Sequence, residues 1–469
     1  MKNVLITGAT GFIGRRLAHQ LLDEGYEVTV LARESAHAAD LAHRGARVIE
    51  GDLSQSLLIE NAMDDVDGVF HLAAACDLGG ELGPMRRINV EGTRNIINAA
   101  TDAGVARIVY GGCDTSLGDT YGAVCDESKE HDGNFESVYE QTEQETHLLV
   151  RQCIEQGAPI INAIVSTAYG PGDEGPIGAL IEQHVAGRRA AHVDRDAGYT
   201  FTHVDDVATG LRLAYERGEA GEDYLLSGTP ASFEEFFDAL SAQTGISRPH
   251  AELPMWLLDA MEPLAEHTTP VFKKTGAEVR EMIAISRGVT RYFSSQKARE
   301  ELDWQPRSLE DGLRDTLPWF QLREKESTDR LLQSTSVPLL GLSAFDIGLG
   351  MSALVFPGFY SQIMHPHAGA AHLPATRALL ARMGLTWLFF AAVQGTAGLD
   401  PVERPEWVMI AGALRLMDVP ADLGYFLKSD DQGWLGKAGL LAAPVFNLGV
   451  GAFLTYAGYR GLRAKYARR

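Results

Sequence analysis

Thr7-Gly8-Ala9-Thr10-Gly11-Phe12-Ile13-Gly14 lies between the apolar run Val4-Leu5-Ile6 and the helix-compatible stretch Arg15 to Leu22. It reads as a strand, a glycine turn and the first turn of a helix. Glycines three apart let the backbone turn tightly and approach a pyrophosphate, which the free N–H groups and the dipole of the helix start then stabilise. The spacing GxxGxxG differs by one residue from the commoner GxGxxG. Gly8, Thr10, Gly11, Phe12, Ile13 and Gly14 are the expected phosphate cradle. Beyond it, residues 1 to about 165 alternate short apolar runs with helical stretches, as a doubly wound parallel sheet does, and residues 166 to about 325 mix further strands with helices.

Further signals follow in order: Gly51-Asp52-Leu53, His71-Leu72-Ala73-Ala74, Asn89-Val90-Glu91-Gly92-Thr93, Tyr169-Gly170-Pro171-Gly172-Asp173, Phe201-Thr202-His203-Val204-Asp205-Asp206-Val207-Ala208, Ser294-Ser295-Gln296-Lys297-Ala298 and Leu302-Asp303-Trp304. With these, about the first 325 residues resemble the extended short-chain dehydrogenase/reductase family of NAD-dependent epimerase/dehydratase-like proteins. The likeness is to its dihydroflavonol-reductase-like and 3β-hydroxysteroid-dehydrogenase-like members. The resemblance implies an α/β fold, a Rossmann-like doubly wound parallel sheet with a smaller substrate subdomain. It places Asp52 and Leu53 beside the adenine, Ala73 and Ala74 where backbone lies close to the cofactor, and Asn89 of the family's N-V-x-G-T, with Tyr139, among the cofactor-binding residues. It assigns the substrate pocket to the second half, where Phe233–Thr244, Met255–Glu266 and Ala277–Ser286 are helical candidates. Trp256, Leu257, Leu258, Met261, Phe272 and Met282 would make that pocket apolar, although core packing is the favoured role for most of them.

The choice between NAD and NADP turns on the end of the second strand, Glu27 to Ala32. An acid there would accept from a free ribose 2′-hydroxyl, whereas a guanidinium pairs with a 2′-phosphate. The residue is Arg33, with Arg15 and Arg16 expected to add positive charge nearby. NADP is the expected cofactor, with NAD the alternative and Arg33 as a solvated loop residue the bland reading.

The catalytic positions depart from the family. Its motif is Y-x-x-x-K, in which the tyrosine exchanges a proton with the substrate oxygen, and the lysine, near the nicotinamide ribose, lowers the phenol pKa. Here Tyr139-Glu140-Gln141-Thr142-Glu143 puts Glu143 where the lysine belongs. A carboxylate raises a neighbouring phenol's pKa. Cys113 aligns with the family's serine, and a thiol is a weak donor. Thr115 or Ser116 would supply a hydroxyl if the loop shifts. One reading keeps Tyr139 as a neutral proton donor in an altered oxidoreductase. Another is a cofactor-binding fold without turnover, a structural or sensing subunit, and fold alone does not separate the two. Sugar-nucleotide epimerisation or dehydration is a third.

Composition divides the 469 residues. Residues 331–469 hold 11 Lys and Arg against 8 Asp and Glu, a net +3, and residues 1–330 hold 30 against 55, a net −25. So acidic a first part, without a basic stripe, argues against nucleic-acid binding. The second part carries apolar stretches near Pro338–Phe359, Ala378–Gly398, Trp407–Leu427 and Gly439–Ala457, each close to the roughly 20 residues of a bilayer span. A soluble bundle competes, since Arg382, Arg415, Asp418 and Asp422 fall in or near them. The expected organisation is a nucleotide-binding domain over 1–325, a polar linker over 326–337 and an all-α four-helix transmembrane domain over 338–469.

Four spans put both ends on one side, and the basic tail Arg460, Arg463, Lys465, Arg468 and Arg469 makes that side cytoplasmic, although Arg377 and Arg382 pull the other way. Met1-Lys2-Asn3 runs straight into the first strand without a signal peptide. Cys76, Cys113, Cys125 and Cys153 form no CxxC pair and read as free thiols in a reducing compartment. His365, His367 and His372 lack a nearby Cys, Asp or Glu ligand and read as a plain loop rather than a metal site. Tethering at a bilayer raises the local concentration of a lipid, so a sterol, hopanoid, isoprenoid or quinone-type hydroxyl or carbonyl is the expected substrate. Nothing in the sequence fixes an oligomeric state.

Overall fold

A computed structural model describes residues 2–76, 80–135, 137–187, 197–248, 288–357, 374–428 and 434–466. It divides into two compact units, Met1–Gln321 and Leu322–Arg469.

The first unit is built on β1 (Asn3–Thr7), β2 (Glu27–Ala32), β3 (Arg47–Glu50), β4 (Gly68–His71), β5 (Arg107–Cys113), β7 (Ile160–Val165) and β10 (Asp223–Leu226). They form one sheet in the order β10-β7-β5-β4-β1-β2-β3, parallel at every pairing. A parallel sheet must be covered on both faces, so its strands read as continuous apolar runs. Leu5 of β1 joins one core while Val4 and Ile6 join the other, and Val69 and Phe70 of β4 divide the same way. The helices of this unit include α1 (Phe12–Asp23), α2 (Ala39–His43), α3 (Ser56–Ala62), α4 (Leu82–Arg86), α5 (Gly92–Asp102), α6 (Val138–Glu155), α7 (Pro176–Val185), α8 (Val204–Arg217) and α9 (Phe233–Thr244), of which α7 and α9 share a separate core with Tyr169, Phe201 and Ala231.

The chain runs outward from β1 to β3 on one side and from β4 to β10 on the other. The order therefore reverses between β1 and β4, where ligands bind beyond the strands' carboxyl ends. A second sheet orders β11 (Thr229–Ser232), β9 (Gly198–His203), β12 (Thr290–Phe293) and β6 (Val124–Cys125), with β8 (Ala168–Tyr169) beside β9.

The Asp205-Asp206 and Leu302-Asp303-Trp304 signals meet in space. Trp304 is buried after α10 (Gln296–Leu302), and its indole Nε1 donates to the Asp206 carbonyl at 2.8 Å. Arg307 grips the Asp206 carboxylate through Nε and Nη2. These motif residues hold structure together. The expected helix Phe233–Thr244 is present, entered through a capping box of Ser232 and Glu235. The other two pocket helices, with Trp256, Leu257, Leu258, Met261, Phe272 and Met282, lie outside the described residues, as do His365, His367 and His372.

The 326–337 segment differs from its reading as a connector. It continues α11 (Leu309–Ser334) and enters α12 (Ser336–Val355) after Thr335. Lys325, Glu326, Asp329 and Arg330 are polar but good or tolerable helix formers, and with no Gly or Pro between Glu324 and Ser336 polarity alone does not end a helix. The second unit continues with α13 (Pro374–Leu399), α14 (Pro405–Lys428) and α15 (Trp434–Tyr466). The expectation of four spans is met by one stretch: among the described residues Leu309–Val355 is long and apolar enough to cross a membrane. Helices α13, α14 and α15 run 26, 24 and 33 residues.

Glycines seal two helical hairpins in this unit. A Cβ on Gly350 of α12 would stand 2.8 Å from the Gly384 carbonyl of α13. One on Gly412 of α14 would meet the Thr455 amide of α15 at 2.4 Å, and one on Gly458 would meet the Met409 amide at 2.3 Å. Backbones this close leave no room for any other residue.

Candidate active site

The glycine turn is a cradle by steric necessity. Gly8 has φ +77°, and a Cβ there would lie 2.7 Å from the Ala73 amide nitrogen; on Gly14 it would lie 2.2 Å from the Gly8 carbonyl. The Gly11 amide closes the turn onto the Gly8 carbonyl at 3.0 Å, and α1 starts at Phe12. Thr10, Phe12 and Ile13 remain partly accessible beside exposed Gly11. This is the geometry a dinucleotide pyrophosphate requires, so the residues present fit that group.

Buried hydrogen bonds fix the β4 end. His71 Nδ1 pairs with Thr7 Oγ1 at 2.6 Å and Nε2 with Thr93 Oγ1 at 2.8 Å. Burial lowers the His71 pKa to about 4, so the ring is a neutral strut. Ala73 is partly buried and Ala74 exposed just beyond. Asn89, in a π-helical turn at Arg87–Glu91, accepts from the Ala75 amide at 2.7 Å. Its Nδ2 donates to the Ala75 carbonyl at 3.0 Å, to Thr142 Oγ1 at 3.1 Å and to Glu143 Oε1 at 3.4 Å. Asn89 thus ties the loop after β4 to α6; its side chain is committed to protein partners.

At the other end, Arg33 is exposed directly after β2, and Asp52 follows β3. The Ser54 N–H holds the Asp52 carboxyl below its usual range, with Arg33 a lesser contributor. Leu53 is buried and its carbonyl accepts from Asn95 at 2.9 Å. Arg15 and Arg16 do not sit free beside Arg33 as expected. Arg15 pairs with Asp40 at 3.2 Å and donates to the His37 carbonyl, while Arg16 faces Asp205 at 3.5 Å and donates to the Pro171 carbonyl.

Helix α6 starts at an N-cap, Ser137, whose hydroxyl accepts from the Glu140 amide at 3.0 Å. Its first turns present Tyr139 and Glu143 to the end of β5. Tyr139 is half-buried with its phenol beside the Cys113 thiol; burial, then Cys113 and Glu143, keep the phenol far above its ordinary value. Burial, then Asp114 and Glu143, push the thiol up to about 12, so Cys113 stays protonated. Burial alone lifts Glu143 to about 7. The Ser116 hydroxyl is committed to the Cys113 carbonyl at 2.7 Å, which removes it as a substitute donor. Thr115 Oγ1, beside the thiol, is buried without a hydrogen-bond partner. Such an orphan calls for an explanation, and a ligand oxygen supplies one.

The sequence reading missed a buried charge network under this helix. Arg291 of β12 reaches Glu140 at 3.4 Å, packs over the Tyr199 ring at 5.6 Å and lowers the otherwise raised Asp114, which burial brings to about 6. His131 Nε2 lies 3.3 Å from Glu140. A lone arginine in Thr290-Arg291-Tyr292-Phe293 gives no local sign of this role.

With that geometry in place, the comparisons agree on one class. Residues 4–227 match the NAD dependent epimerase/dehydratase family. A putative dihydroflavonol 4-reductase of Synechocystis is 29% identical over 330 residues, 67% of this chain and 94% of its own length. Sterol demethylase protein B of Methylococcus capsulatus is 28% identical over 336 residues, 68% of this chain and 98% of its own. The crystal structure of gox2253 superposes with a TM-score of 0.58 at 32% identity, covering 69% of this chain and 99% of that one. The nucleotide-binding unit belongs to the epimerase/dehydratase family of short-chain oxidoreductases.

Proposed function

We propose that this protein is a membrane-held, NADP-dependent reductase or dehydrogenase of a lipid-class carbonyl or hydroxyl. The carrying observation is the inverted polarity of the second unit. Phe345, Ile347, Met351, Phe389 and Phe453 are exposed, while Asp346, Gln394 and Arg415 are buried. Arg415 Nη2 bonds Asp346 Oδ2 at 2.5 Å and Gln394 Oε1 at 3.3 Å. Water would reward the opposite arrangement, whereas a bilayer rewards apolar outsides and paired charges within. The four-helix reading over 338–469, with the nucleotide unit in the cytoplasm, rests on this and on the basic tail. A sterol-acting relative supports the substrate class.

When bound, the nicotinamide supplies or accepts the hydride. Tyr139, held neutral, donates its proton to the substrate oxygen, with Cys113 and Thr115 as further donors to that oxygen. Arg33 favours the 2′-phosphate. The test is twofold. Recovery of the full-length chain only with detergent, and NADPH-dependent turnover of a sterol or isoprenoid ketone, support the reading. Recovery without detergent refutes the membrane part. NADPH binding without turnover across such a panel, or with UDP-sugars, supports the second reading, a catalytically impaired NADP-binding subunit, for which Glu143 in the lysine position speaks.

A further inference from the structure

Topology places the two halves of a dinucleotide. The crossing point lies between β1 and β4; Arg33 and Asp52 mark the adenine side over β2 and β3, so the nicotinamide half faces the ends of β4 and β5, where α6 brings Tyr139 and Glu143. Glu143 is buried there among Asn89 from the π-helical turn, Tyr110 and Cys113 from β5, and Tyr139 and Thr142 from its own helix. The neighbouring elements carry cations, but Arg291 is paired with Glu140 and Arg86 with Glu145. A carboxylate at this position faces no counter-charge from the protein among the described residues.

The oxidised nicotinamide ring carries a positive charge that the reduced ring lacks. We propose that Glu143 makes the site discriminate the redox state of its cofactor, holding the oxidised form in preference to the reduced form to a degree set by the proton on its carboxyl. The inference rests on the reading of this unit as a nicotinamide-dinucleotide site. Burial supports it by bringing Glu143 to about 7, so its charge changes within the working range. The sign follows from linkage: the oxidised ring stabilises the carboxylate and releases a proton on binding, and the reduced ring does not. Rising pH therefore strengthens oxidised-cofactor binding relative to reduced. Hydride transfer to a substrate creates that cation, so each reductive turnover leaves a product cofactor that the site retains more firmly.

The experiment titrates the full-length protein in detergent with NADP+ and NADPH, and in parallel with NAD+ and NADH, between about pH 6 and pH 8.5. The ratio of Kd for the reduced form to Kd for the oxidised form is expected to rise about tenfold, the scale of two unit charges several ångströms apart in a partly buried site. The adenosine and phosphate groups are shared by each pair and cancel. Calorimetry in two buffers of different ionisation enthalpy is expected to show proton release on binding the oxidised form near pH 7, in the unmutated protein. In Glu143→Gln the ratio is expected to be flat and the released proton absent. A pH-independent ratio in the parent, or an unchanged slope in Glu143→Gln, overturns the proposal while leaving the dinucleotide reading intact. Binding of neither pair overturns the reading itself, and the proposal with it.

Discussion

Replacing Thr115 by valine separates a catalytic hydroxyl from a structural one. The Thr115 hydroxyl is buried and makes no hydrogen bond, whereas Ser116, one residue on, bonds the Cys113 carbonyl at 2.7 Å. Valine is nearly isosteric with threonine, and deleting an unsatisfied buried hydroxyl recovers part of a desolvation penalty of about 1–3 kcal/mol. Thr115→Val should therefore leave the cofactor-free protein equally stable or raise it by about 1 kcal/mol, a Tm increase of roughly 2–4 °C for a domain of this size. Ser116→Ala should lower stability by about 1 kcal/mol through its lost bond. Turnover should order the other way. A donor to the substrate oxygen in a water-excluded site contributes on the order of 10²-fold to kcat, so Thr115→Val should lose about that much and Ser116→Ala little. Thermal unfolding without cofactor and steady-state oxidation of NADPH measure the two axes. If Thr115→Val destabilises the protein while turnover persists, the hydroxyl has a structural partner and the site assignment fails.

Other outcomes follow from the same geometry. Tyr139→Phe should abolish turnover, with loss of about 10²-fold or more, while NADPH affinity by fluorescence titration stays near the parent's. Arg33→Asp should weaken NADPH by about 1–3 kcal/mol and NADH less; equal losses would remove the 2′-phosphate contact. Glu143 carries a folded-state pKa of about 7 against an ordinary 4.5, so the folded state binds the extra proton and stability falls as pH rises through that window. Glu143→Gln should accordingly gain on the order of 3 kcal/mol over the parent above pH 7 and almost nothing near pH 4.5, read from pH-dependent unfolding. In the second unit, Arg415→Met alone should cost about 3 kcal/mol by stranding Asp346, and Asp346→Leu in the same chain should restore most of it, measured by unfolding in detergent.

The glycine cradle and the parallel sheet were legible in the sequence because both are local. A positive φ at Gly8 and continuous apolar strands leave marks within a few residues. Asn89 stood out within its motif, yet nothing near it announces its partners Ala75, Thr142 and Glu143, the last 54 residues away in sequence. The Glu140–Arg291 pair spans 151 positions, and nothing near either residue announces the other. Arg15 and Arg16 misled for the opposite reason. Their proximity to the cradle was right, but Asp40 and Asp205, which take up their charge, arrive from other elements. Helix α11 outran its polar reading since charged residues mark exposure and only weakly mark a boundary.

The glycine contacts of the second unit bear on how it is made. Gly350 with Gly384 closes the first hairpin, and Gly412 and Gly458 close the second, so each can form as soon as its own two helices are synthesised. Asp346 and Gln394 belong to the earlier hairpin and Arg415 to the later one. Until the hairpins mate, each displays an unneutralised charge. Docking cancels both at once, so the Arg415–Asp346 pair rewards the native mating of the two hairpins and no other.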